Sequence, residues 1–84
     1  MSQFYAVGEH IPVELDDVER PTAFLWHGQR HEVEGVADHW RIDEDWWQRR
    51  LWRDYFKVTT TSGYLMLIYH DLVGGNWYLQ RVYD

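Results

Sequence analysis

Along most of this chain apolar and polar residues alternate with a period of two, the mark of strands half-buried in a sheet. In "HIPVELD", Ile11, Val13 and Leu15 face one way, while His10, Pro12, Glu14 and Asp16 face the other. Pro12 has no amide hydrogen to give to a ladder, which predicts an edge strand. "DDVERP" is turn chemistry, its acids able to bond their own backbone and Pro21 restarting the chain. "TAFLWHGQRHEV" reads as a hairpin folded at Gly28, which takes the positive φ of a tight turn. Gly35 falls where the alternation changes phase and predicts a β-bulge.

The second half is clearer. "RDYFKVTT" puts Asp54, Phe56, Val58 and Thr60 on one face and Arg53, Tyr55, Lys57 and Thr59 on the other. "TSG" turns the chain into "YLMLIYHD", apolar on both faces and so suited to the sheet interior. "LVGG" turns it again into a last strand, "NWYLQRVYD". The best helical window is "DEDWWQRRL", with acids first and arginines last to complement a helix dipole. Nothing periodic extends it, so at most one short helical turn is expected there. The pattern predicts an all-β fold: five or six antiparallel strands in a small, partly closed barrel or strongly curled sheet.

Eighty-four residues make a single domain, 1–84, with residues 1–8 expected to fray. A chain this short needs a dense core, and its six tryptophans, six tyrosines and three phenylalanines supply one. The absence of cysteine excludes a disulfide framework and thiolate metal sites. The N-terminus lacks the basic start and apolar core of a signal peptide, and no apolar run approaches about 20 residues. These features lead to the expectation of a cytoplasmic protein without a membrane segment.

Charge is uneven. Residues 1–39 hold eight acids against Arg20 and Arg30, whereas residues 40–58 hold five bases against four acids. The net charge of −6 repels nucleic acid at long range, so any contact with it must rest on a local patch. Catalytic chemistry finds little support. Ser2 and Ser62 have no histidine beside them in sequence, and the carboxylate pairs Asp16-Asp17 and Asp43-Glu44-Asp45 lie in turn-like, solvated sequence. His27 and His31 flank a turn near Glu32 and Glu34, but a zinc site needs three or four converging ligands. Histidines spread over several strands are expected on the surface or on a backbone carbonyl. The chain therefore reads as a non-enzyme, with no catalytic, metal or cofactor residues assigned.

One stretch is chemically distinctive. "DEDWWQRRLWRDYFKV" puts Trp46, Trp47 and Trp52 among Arg49, Arg50 and Arg53. If extended, Trp46 and Trp47 point to opposite faces, so one of them is exposed beside arginines, the composition of a binding hot spot. In a packing account, Trp40, one of that pair and Phe56 fill the core, and the arginines pair with Asp43, Glu44, Asp45 and Asp54. The assigned partner-binding residues are Trp46, Trp47, Arg49, Arg50 and Arg53, with a protein as the expected partner. The alternative is stacking of single-stranded nucleic acid.

"ERPTAFLWHGQRHEV", "WRIDEDWW", "RDYF" and "HDLVGGNWYLQRVYD" together resemble a small bacterial domain family of unknown function. That domain is found alone and as the C-terminal tail of polymerase-like mutasome proteins. The resemblance covers residues 10–84, and its most specific parts include Trp40-Arg41, Trp46-Trp47, Arg53-Asp54-Tyr55 and Trp77-Tyr78-Leu79. It implies an accessory setting in DNA repair or translesion synthesis and supplies no established activity to carry over. His70 stands where the family pattern implies an arginine before Asp71, which weakens any basic face on that strand.

Overall fold

The computed structural model describes the backbone of residues 3–46 and 49–83, with side chains for residues 8–45 and 50–83. Seven strands occur among these residues: β1 (Gln3–His10), β2 (Val13–Leu15), β3 (Pro21–Trp26), β4 (Gln29–Trp46), β5 (Arg49–Thr60), β6 (Leu65–Asp71) and β7 (Trp77–Tyr83). All neighbours are antiparallel, in the spatial order β1-β7-β6-β5-β4-β3-β2. The all-β expectation holds, with one or two strands more than the alternation predicts. At "DEDWWQRRL", where at most one short helical turn is expected, the described residues are all extended. Residues 43–46 continue β4 and residues 49–51 begin β5, because pairing between the two arms overrides the end-to-end charge pattern.

The first and last strands in space are consecutive in the chain, which forces the sheet to curl. The stretch read as one edge strand is divided at Ile11 and Pro12. On one side the Ile11 N–H donates to the Trp77 carbonyl (3.1 Å), and on the other the Leu25 N–H donates to the Pro12 carbonyl (3.0 Å). Pro12 keeps its acceptor and loses only a donor, so it suits the point where the chain changes partners. Ile11, 2% exposed, is driven into the core by that bend. Around it pack Phe24, Phe56, Ile68, Trp77 and Leu79, with Trp26 and Val33 at the margin. β6 lies in the sheet interior as its two apolar faces predict, and Met66 and Ile68 are fully buried.

The turns follow the glycines. His27 and Gly28 both have positive φ, at 52° and 72°, which gives the tight β3–β4 hairpin its right-handed twist. The predicted bulge at Gly35 is present as a shift in the β4–β5 register between Val33 and Gly35, and a second lies between Val36 and Asp38.

The other face of the sheet holds a smaller cluster of Tyr55, Leu67 and Tyr69. β1 pairs with β7 at Phe4 and again at Glu9, with a register shift between them. In that interval Gly8 lies so close that a Cβ there would sit 2.7 Å from the Tyr69 hydroxyl and 2.7 Å from the Tyr78 Cβ. Glycine is required at this position by contact distance.

Beyond the bulges the β4–β5 pair is fastened by charge. Arg41 Nε and Nη2 donate to the two carboxylate oxygens of Asp54 at 2.7 and 3.0 Å, and His39 Nε2 lies 3.6 Å from the same carboxylate. The hydrogen bonds from Arg41 hold the Asp54 carboxyl below the usual aspartate range, against the opposing effect of burial.

Two outcomes are expected. Gly8→Ala overpacks Tyr69 and Tyr78 and should cost roughly 1–3 kcal/mol, a fall in Tm of about 4–8 °C per kcal/mol in a domain of this size. An unchanged melting curve would refute the close approach. Because the Asp54 carboxyl is depressed in the folded state, its contribution is complete above the unfolded value of about 3.9 and is lost as pH falls through the folded value. The Tm gap between wild type and Asp54→Asn should therefore be full at about pH 5 and close progressively below about pH 4. A gap that stays constant down to pH 2.5 would show that the ion pair does not stabilise the fold.

Candidate interaction surface

β5 has twelve residues and β6 only seven, so the two cannot match along their whole length. Their last rung is Arg53 opposite Asp71. There β6 is ended by Asp71 itself. Its carboxylate Oδ1 accepts from the amides of Val73 (3.0 Å) and Gly74 (3.4 Å), and its carbonyl accepts from Gly75 (2.7 Å), which has a φ of 86°. One further backbone bond, from the Leu72 N–H to the Trp52 carbonyl at 2.9 Å, ties the turn to β5. From Asp43 opposite Trp52 to Trp46 opposite Arg49, the two strands run on with no third strand among the described residues. At about 3.3 Å per residue this arm reaches roughly 13 Å past the end of β6.

The partner-binding residues read from sequence cluster on this arm. Trp46 and Arg49 are its terminal pair; their side chains lie outside the described residues, as does Trp47 entirely. Arg50 packs its guanidinium 4.5 Å above the Trp52 ring and donates to Asp43 at 3.1 Å. Arg53 borders the same cleft as Arg50 but is engaged by tyrosines. It lies 4.4 Å above the ring of Tyr69 and donates to the Tyr55 hydroxyl at 3.0 Å. The arginine pairing read from sequence is therefore only partly realised: Asp43 takes Arg50, while Asp54 takes Arg41. A cleft of about 510 Å³ opens at the base of the arm, bounded among others by Arg50, Leu51, Trp52, Arg53, Asp71 and Val73. The Trp52 Nε1 is buried there without a hydrogen-bond partner.

Alternation did not reveal how the aromatic residues line up. Trp40, Tyr55, Tyr69, Tyr78 and His10 occupy directly opposed positions on five neighbouring strands. Their rings form one row across the sheet, with successive centroids 5.4, 5.1, 5.2 and 5.7 Å apart. Trp40 and Tyr55 are nearly parallel, at 3°. Trp40 was assigned to the core in the packing account, but its indole is 37% exposed at the end of this row, because its position alternates onto the face opposite Phe56. Burial pushes the Tyr69 hydroxyl above the ordinary phenol value, against the pull of Arg53. Lys57 lies 4.8 Å and Arg81 4.6 Å from the ring centre of Tyr83 on the same face.

His10, His27 and His39 are exposed as expected, but His31 is not. His31 is 1% exposed, enclosed by Phe24, Trp26 and Tyr64, and its Nδ1 lies 2.7 Å from the Ser62 hydroxyl. Ser62 in turn lies 2.9 Å from Thr60 Oγ1, which accepts from the Tyr64 amide. Sequence reasoning saw no histidine near Ser62 because 31 positions separate them; β4 and the β5–β6 turn bring them together. The His31 Nε2 has no hydrogen-bond partner, so no carboxylate orients this ring as a general base requires. His27 instead stacks on Trp26 and lies 3.9 Å from Glu9. Among the described residues no three histidine, aspartate or glutamate side chains converge to hold a metal ion.

No curated protein and no solved structure matches this chain. A family profile does, over residues 5–84, covering the curled sheet, the arm and the aromatic row together. The chain belongs to the family described as Domain of unknown function (DUF6504).

Proposed function

We propose that this domain is a non-catalytic protein-interaction module that presents its β4–β5 arm to a protein partner. The observation that carries the reading is the overshoot of β4 and β5 past Asp71. It carries residues 43–46 and 49–52 beyond β6, where no third strand pairs with them among the described residues. A rim of arginine and carboxylate around large aromatics is the usual make-up of a protein hot spot. Glu14 and Asp54 are held down by hydrogen bonds from arginines, the direction of an ion pair and the reverse of a carboxyl poised to donate a proton. The similarity to mutasome tails supplies the setting we propose, an accessory role in bacterial DNA repair or translesion synthesis.

Single-stranded nucleic acid is the competing ligand, and the specific feature in its favour is the set of cations on the aromatic face. Base stacking needs open ring faces. Tyr55 and Tyr69 are only 6% and 4% exposed, and each is flanked by neighbouring rings in the row. A net charge of −6 adds long-range repulsion.

A photo-crosslinking residue in place of Trp46 should give discrete protein adducts in cells, whereas the same residue in place of the exposed Val18 on the far β2–β3 turn should not. Arg50→Glu should weaken those adducts. In parallel, wild type should show no binding to a 20-nucleotide single strand below about 100 μM at physiological salt. Micromolar binding whose log–log salt slope is about −2, and which flattens in an Arg49→Glu/Arg50→Glu variant, would overturn the reading in favour of nucleic acid.

A further inference from the structure

β4 has two sides, and only one is used beyond its start. β3 pairs with it from Gln29 to Glu32 alone, while β5 pairs along the opposite side from Val33 to Trp46. The outer side of residues 33–46 has no partner strand among the described residues. Its first part is distorted by the two bulges, the usual way to blunt an exposed edge. From Asp38 onwards the register with β5 runs without interruption to Trp46. Nine regular residues, roughly 30 Å at 3.3 Å each, therefore turn alternate N–H and C=O groups outward, the His39 N–H among them being taken by Asp38 Oδ1 at 2.9 Å.

Two further features of this edge point to one kind of occupant. Trp40 is the last ring of the aromatic row: Tyr55 stacks on one side of its indole, no further ring among the described residues stacks on the other, and the residue is 37% exposed. The charge along the edge is negative and uncompensated. Arg41 is held by Asp54 and Asp43 by Arg50, which leaves Asp38, Glu44 and Asp45 exposed with no ion pair among the described side chains. Acids alone could serve only to discourage edge-to-edge contact. That role does not explain an exposed indole set between them at the end of a stacked row.

Resting on the interaction-module reading above, we propose that residues 38–46 of β4 accept an extended, arginine-bearing segment of the partner protein as an added strand, with one arginine stacked on the outer face of Trp40. Main-chain pairing supplies the bulk of the contact, and alternate side chains supply the selectivity. Arginine fits because it stacks on an indole through its planar guanidinium while answering the carboxylates on either side. A second copy of this edge is disfavoured by its own acids, which would meet like charges.

The probe is a capped ten-residue peptide of alternating arginine and threonine, titrated into the full chain by calorimetry and followed by amide chemical shifts. Three controls accompany it: the glutamate–threonine counterpart and two versions N-methylated on alternate residues, one for each edge of the peptide. The arginine peptide should bind at least tenfold tighter than the glutamate one, with shifts concentrated on residues 38–46 and the Trp40 indole. One of the two N-methylated versions should lose at least tenfold, and Trp40→Ala should cost about tenfold. Equal binding of both N-methylated peptides, shifts mapping to another surface, or self-association through residues 38–46 without peptide would each overturn the proposal. If the edge fails these tests while Trp46 still crosslinks to protein, strand addition is wrong and the interaction-module reading survives.

Discussion

The turn made by Asp71 sets the shape of everything that projects from this domain. One carboxylate oxygen and one carbonyl of that residue gather three amides within four positions, and the chain reverses directly after its rung with Arg53. Had β6 continued, it would have covered β5 as far as Arg49, and the cleft beneath Trp52 would be filled by a strand. Because it stops, eight described residues of β4 and β5, 43–46 and 49–52, must sustain themselves as a two-stranded ribbon. Such ribbons are marginal alone. Here the ribbon grows from a seven-stranded sheet and is fastened at its base by Arg41 on Asp54 and farther out by Arg50 on Asp43.

A second constraint works at the other end of the sheet. Ile11 and Pro12 divide one continuous stretch between β7 and β3, so the sheet must curl until its outer strands meet in sequence. The inner face thereby becomes a closed apolar core, and the outer face is left to solve burial without a covering layer. It does so laterally. Each ring in the row from Trp40 to His10 shelters the next, Arg53 lies over Tyr69, Ile42 and Tyr83 pack beside them, and β1 passes close at Gly8, so Tyr55 and Tyr69 are buried. This arrangement spends the aromatic surface on stability and leaves the Trp40 end of the row exposed.

Much of this was legible in the chain. The hairpin at Gly28, the bulge at Gly35, the two faces of "RDYFKVTT" and the interior position of β6 all follow from alternation and glycine placement. The outer half of β4 was not. Both faces of a projecting ribbon are wet, so "RIDEDW" carries no apolar period, and its acids argue against a strand on propensity alone. Only pairing with β5, a non-local interaction, makes it extended. The same holds for Trp40, whose alternation places it opposite Tyr55 and away from the core, and for His31, buried beside a serine that sequence distance hides.

The central claim is that β4 beyond its bulges is a formed strand with one side bonded and the other open. Residue-resolved amide hydrogen exchange on the free wild-type domain tests this most directly. From residue 38 to residue 45, amides bonded to β5 should be protected and the intervening ones should exchange nearly as fast as an unstructured chain, in strict alternation. Uniform protection along those residues would mean that the outer side is already covered, and uniformly fast exchange would mean that the arm is not formed; either result contradicts the account.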